Sequence, residues 1–218
     1  MSSPEVELRG VWLHLVDGAA ADTATDHLLE GLFARLREGH RRYHTAVHVM
    51  WVLRHVRSLA HLVGDPARLA AVELAALYHD AVYDPRRSDN EACSADLAAS
   101  VAAELGWAPS RRDDVRRLVM ATATHRPTRV DEAVLVDADL AVLGGDPRSY
   151  AAYVNGVRAE YSHVDDTDWR RGRSEVLRHF LDGECVFHTD EMRATLETRA
   201  RANLTAELVT LGMGLAGQ

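Results

Sequence analysis

Residues 43–53 read Tyr43-His44-Thr45-Ala46-Val47-His48-Val49-Met50-Trp51-Val52-Leu53, and this stretch decides the fold. Its apolar residues run nearly all round a 3.6-residue turn, the pattern of a helix buried on most sides. His44 and His48 interrupt it at a spacing of four, which puts both on one helix face. A second such run, Leu74-Ala75-Ala76-Leu77-Tyr78-His79-Asp80-Ala81-Val82, carries an adjacent His-Asp pair. Neighbouring helical residues point about 100° apart, so His79 and Asp80 can converge on one atom lying off the helix. A third run, Ala133-Val134-Leu135-Val136-Asp137-Ala138-Asp139-Leu140-Ala141-Val142-Leu143, carries two acids.

The flanking sequence is helical in period as well. Thr25 and Asp26 can start a helix carrying Leu28, Leu29, Leu32, Phe33 and Leu36, stopped at Gly39. The helix of residues 44–63 ends at Gly64, and Pro66 opens the next, which runs to about Val82. After the loop Asp84-Pro85-Arg86-Arg87, Ser88 or Asp89 starts a helix that Gly106 closes. Others are predicted over 110–122, 131–143, 147–161 and 166–181. A final helix beyond these carries Leu196, Ala200, Leu204, Leu208 and Leu211 as one stripe. There is no alternating strand pattern, repeat or low-complexity linker. These features predict an all-α protein of one domain over 1–218, with a core at about 40–145 and C-terminal helices (147–214) packed on it. The final apolar stripe suits packing within the chain and a homodimer equally.

Composition narrows the function classes. The 218 residues are 47% hydrophobic and 27% charged, an ordinary globular balance. The formal charge of −8 argues against nucleic acid as a partner. No apolar run reaches membrane-spanning length, and MSSPEVELRG lacks the basic start of a signal peptide. Two cysteines, Cys93 and Cys185, cannot build a disulfide framework, so a cytoplasmic protein is expected. The chain contains no Lys, which excludes Schiff-base, Walker A and kinase-type lysine chemistry.

Buried, unpaired carboxylates cost several kcal/mol. No arginine lies within the three apolar runs. A shared divalent cation would satisfy their polar residues together, and imidazole plus carboxylate suits Mn, Fe, Ni, Co or Zn, with Mg also admissible. Asp137 and Asp139 point about 200° apart and cannot easily serve one site. Asp139 shares its face with the bulkier Leu135, Val136, Val142 and Leu143. The expected ligands are therefore His48, His79, Asp80 and Asp139, with Asp137 supporting a neighbouring group. A zincin site is set aside, because Thr45 stands where its Glu would be.

These residues resemble the HD superfamily of metal-dependent phosphohydrolases, whose pattern is a His, a His-Asp pair and a late Asp. Within it the chain is similar to a small bacterial group of predicted metal-dependent phosphohydrolases. The matching stretches are Arg42-Tyr43-His44-x-x-x-His48, His79-Asp80-Ala81-Val82-Tyr83-Asp84, Asp89-Asn90-Glu91 with Ser94-Ala95, Ala121-Thr122-x-x-His125 and Asp137-Ala138-Asp139-Leu140. Arg158-x-Glu160-Tyr161 and Ala200-Arg201-x-Asn203-Leu204 extend the similarity over most of the chain. The resemblance implies a multi-helix HD-domain bundle, a divalent metal and hydrolysis of a phosphate ester by metal-activated water. Cyclic-nucleotide phosphodiesterases, distant members, have Asn where Thr45 stands and a second His where Tyr83 stands, so no cyclic-nucleotide preference is implied.

The expected substrate is a nucleotide or another small phosphorylated metabolite. His44, one turn before a ligand, could protonate the leaving group. Glu91 could activate water, or could simply favour a helix N-terminus. His125 and Arg126, at a helix end, and Arg86 are candidates for substrate contact, as are Arg87 and Arg158, because guanidinium matches phosphate. Two further classes fit less well. An HD-type di-iron oxygenase needs extra histidines before the last Asp, where only His125 occurs. A non-catalytic metal- or nucleotide-binding module would leave His44 without a role.

Overall fold

A computed structural model of the chain describes residues 3–16 and 23–213; these contain eleven α-helices, one 3-10 turn and no strand. The all-α expectation holds. The helices are α1 (Pro4–Leu15), α2 (Thr23–Leu36), α3 (Ala46–Ser58), α4 (Ala60–Val63), α5 (Pro66–Tyr78), α6 (Asn90–Glu104), α7 (Pro109–Thr124), α8 (Val130–Leu140), α9 (Pro147–Glu160), α10 (Asp166–Asp182) and α11 (Asp190–Met213). The 3-10 turn, Ala141–Gly144, follows α8 directly. Among the described residues no helix is long and apolar enough to cross a membrane.

Polar caps set the starts. Ser3, Asp65 and Asp146 accept backbone N–H bonds at the heads of α1, α5 and α9, each with Pro in the first turn. Sequence reading missed α1, although Ser3-Pro4 with Glu5 and Glu7 is a complete start signal. The predicted 44–63 helix is two helices. Ser58 Oγ donates to the His55 carbonyl at 2.8 Å, and the backbone breaks at Leu59. The predicted 66–82 helix stops at Tyr78, so His79 and Asp80 lie beyond its end. Here the Ala81 N–H turns back to the Tyr78 carbonyl at 3.0 Å, a tighter closure than the helical one.

The chain divides into two compact units, Met1–Ala138 and Asp139–Gln218, and the division falls inside α8. In the first, α5 is the hub: it packs against α1, α3, α4, α6 and α7. Every residue from Ala71 to Tyr78 is buried, and the alanines at 71, 75 and 76 let neighbours approach closely. The one acid in that stretch, Glu73, is paired with Arg57 at 2.7 Å. In the second unit, α11 packs on α10 and on the 3-10 turn. A Cβ on Gly144 would lie 2.6 Å from Leu196 Cβ, so the turn and α11 approach too closely for any side chain there.

Candidate metal centre

The centre forms where the end of α5 meets α3. Thr45 caps α3 through the Val47 N–H, which places His48 in the first turn. His79 is the C-cap of α5, and its Nδ1–H donates to the Ala76 carbonyl at 2.9 Å. That bond fixes the ring and leaves Nε2 as the electron-pair donor. His79 Nε2 lies 3.1 Å from His48 Nε2 and 3.1 Å from Asp80 Oδ2, and His48 Nε2 lies 3.4 Å from that same oxygen. Donors bound at about 2.0–2.2 Å around one ion, at angles between octahedral and tetrahedral, stand roughly 2.8–3.6 Å apart. The three atoms therefore fit a divalent cation, and two imidazoles with one carboxylate suit a transition metal.

Both histidines are buried, while the Asp80 side chain keeps 19% exposure. Burial raises the Asp80 pKa, but the adjacent His79 and His44, with hydrogen bonds from His48 and His79, outweigh it and hold the carboxyl well below its usual range. The site thus presents an anion flanked by imidazoles. The His44 ring packs against Tyr83 with centroids 4.1 Å apart and the planes tilted by 31°, meets Tyr43 edge-on at 5.0 Å and lies 5.7 Å from the His48 ring.

Two sets of contacts hold the segment after Asp80. Ser94 Oγ accepts from the Val82 N–H and donates to the Val82 carbonyl, at 3.0 and 3.2 Å. The Asn90 side-chain amide likewise binds both the N–H and the carbonyl of Asp84. The motif Asp89-Asn90-Glu91 with Ser94 is therefore a backbone clamp in its Asn90 and Ser94 members. Arg41 is the other support, and sequence reading missed it. Its fully buried guanidinium donates to the carbonyls of His44, Asp80 and Ala81. His40 was missed too: its Nε2 donates to the Tyr83 carbonyl at 2.7 Å. No periodic signal marks an arginine for burial. The only hint was the position of both residues just before Tyr43-His44.

Three of the four predicted ligands, His48, His79 and Asp80, are brought together. Asp139 is half-buried on α8, as the first residue of the second unit. Asp137 is 0% exposed, so the bulkier stripe around Asp139 does not make that acid the more buried. His125 caps α7 in the left-handed region at φ 51°, half-buried. Glu91 lies in the first turn of α6, half-buried, and its side chain makes no hydrogen bond or ion pair among the described residues. Arg86 and Arg126 are exposed. Arg87 is held by Asp89 and Cys93, and Arg158 by Asp166 and the carbonyls of Tyr161 and Val164, so both already have partners. Cys93 and Cys185 are half-buried rather than core residues.

In the second unit, Arg173 and Glu207 form an ion pair at 2.8 Å, each side chain only 7% exposed. Tyr150 Oη donates to Glu207 at 2.5 Å, and Arg173 donates to Tyr153 Oη at 3.0 Å. Burial raises the Tyr153 pKa, with Arg173 pulling against it. Glu207 lies on the same α11 face as Ala200 and Leu204, where the apolar stripe gave no sign of it. No family model matches the chain, and neither the curated proteins nor the solved structures contain a match to it.

Proposed function

We propose that this chain is a metal-dependent phosphohydrolase of the HD kind, acting on a nucleotide or another small phosphorylated metabolite. The observation that carries the proposal is the triangle of His48 Nε2, His79 Nε2 and Asp80 Oδ2, with a further imidazole, His44, beside it. His48, His79 and Asp80 would hold the cation. When bound, a divalent ion supplies Lewis acidity, polarising a phosphoryl oxygen and lowering the pKa of water.

In the hydrolysis, a water oxygen attacks phosphorus in line, the bond from phosphorus to the leaving oxygen breaks, and that oxygen takes up a proton. His44 is the candidate to give it, a contribution of about 10²–10⁴-fold in general-acid catalysis. Its ring packs against Tyr83. The Ala76 carbonyl keeps the His79 proton on Nδ1. The histidines around Asp80 keep its carboxyl ionised. Arg86 and Arg126 are exposed guanidinium groups that could take a phosphate oxygen.

Protein purified without added metal is analysed for its elements. It is then stripped with chelator and assayed against nucleotides and sugar phosphates with Mn, Co, Ni or Mg. About one ion per chain is expected, with phosphate release that falls at least about 100-fold, together with metal retention, in Asp80→Ala. An Asp80→Ala protein that is active without metal overturns the proposal, as does a metal-loaded protein that releases phosphate from none of these esters.

A further inference from the structure

We infer that Arg41 is a positioning residue of the metal centre: one buried guanidinium sets the backbone of the proton-donor segment and of the ligand segment together. This rests on the metal-centre assignment proposed above. Helix α5 ends at Tyr78, so the carbonyls of Asp80 and Ala81 have no helical partner. In the last turn before them, the Ala76 carbonyl is taken by His79 itself. Arg41 supplies what the helix does not. Its Nη1 donates to Asp80 O at 2.8 Å and to His44 O at 3.0 Å, and its Nη2 donates to Ala81 O at 3.1 Å. One nitrogen thus joins two segments far apart in sequence, His44 before α3 and Asp80 after α5.

The remaining contacts place the guanidinium rather than leave it loose. Its Nε donates to Glu38 at 3.1 Å, which offsets the buried charge, and its Cζ stands 5.4 Å from the centre of the Tyr83 ring. Tyr83 in turn packs against His44. The same side chain therefore bears on Asp80 through a carbonyl, and on His44 through a carbonyl and through Tyr83. Only a planar fork with several N–H groups can meet acceptors in these directions at once; an ammonium on a flexible stem cannot. The Arg41 side chain is fully buried and offers substrate no exposed edge, so its effect reaches the site through His44 and Asp80.

The test is a Co(II) titration of the chelator-stripped full chain, followed by the absorption of the bound ion and by thermal unfolding. Wild type, Arg41→Lys, Arg41→Ala and Asp80→Asn are compared. Partners of this kind affect metal affinity by roughly 10–100-fold, so Arg41→Lys should bind Co(II) that much more weakly and with an altered spectrum. Its far-UV circular dichroism without metal should match wild type. Guanidinium ion at a non-denaturing concentration should restore part of the affinity to Arg41→Ala and leave wild type unchanged. Arg41→Lys binding Co(II) as tightly as wild type, with the same spectrum, overturns the inference even if Arg41→Ala does not fold. Wild type that binds no Co(II), or Asp80→Asn that binds it equally well, removes the metal centre itself, and the role of Arg41 falls with it.

Discussion

Replacing Glu207 with Gln changes one oxygen into an amide nitrogen and should be among the most destabilising single changes in the second unit. The carboxylate accepts three bonds: from Arg173 Nε at 2.8 Å, from Arg173 Nη2 at 3.1 Å and from Tyr150 Oη at 2.5 Å. In the Glu207→Gln variant one of these positions becomes a donor facing a donor, whichever way the amide turns. Arg173 is then a buried cation that keeps the Tyr153 hydroxyl but has lost its counter-charge. Removing one member of a buried ion pair costs about 3–5 kcal/mol, because the other charge stays desolvated. For a chain of this length about 2–4 °C of Tm accompany each kcal/mol, so a fall of roughly 6–20 °C is expected. The assay is urea and thermal unfolding followed by tryptophan fluorescence, with Trp12, Trp51 and Trp107 replaced by Phe so that Trp169 reports on this unit. The companion variant, Arg173→Met with Glu207→Leu, removes both charges. It should be less destabilised than Glu207→Gln alone, since only the two tyrosine hydroxyls lose partners. Glu207→Gln within about 1 kcal/mol of wild type would overturn the claim that the charge is buried and uncompensated. So would a paired variant that costs the full sum of the two single changes.

The tight approach of the 3-10 turn to α11 makes a second expectation: Gly144→Ala forces its Cβ against the Leu196 backbone and should cost about 1–3 kcal/mol, read from the urea midpoint. The third concerns acid. Burial raises the pKa of Asp131 and Glu132, but bonds from Arg117 to both and from Thr128 to Glu132 bring each net below its usual value. A lowered folded-state pKa means a contribution that is complete at neutral pH and is lost as the pH falls through the carboxylate range, from about 5 downward. Asp131→Asn should therefore lose stability at pH 7 but show a flatter decline of Tm between about pH 6 and 3 than wild type; a parallel decline would count against the pairing.

Much of the first unit was legible because its signals are local. The buried runs around His48 and at Leu74–Tyr78 announced central helices through their period, and Pro66 announced the start of α5 through its fitness for a first turn. Where prediction erred, a bond that periodicity does not encode had intervened. His79 looked helical because the apolar run continues through Ala81 and Val82; the chain instead leaves the helix when Ala81 closes on Tyr78. The convergence of His79 and Asp80 was anticipated, but it arises from that exit and not from the helical offset of neighbouring residues. Asp139 was preferred over Asp137 on the bulk of its neighbours, yet bulk on a helix face reports which side meets large residues, not which side is sealed from water.

The sequence by itself determined that the chain is helical, that polar residues interrupt its most apolar helices, and that His48 and the His79-Asp80 pair are candidates for a single cation. The first two need only spacing, because a helix puts residues three and four apart on one face whatever surrounds it, and the third needs only the cost of burying unpaired polar groups. The tertiary structure alone decided that three donor atoms stand 3.1–3.4 Å apart, that Arg41 holds the carbonyls of His44 and Asp80 together, and that Glu207 in an apolar stripe is matched by Arg173. Each of these joins residues many positions apart. A long-range pairing leaves no period in the chain, and a charge is tolerated in a buried position only when its partner arrives from another helix.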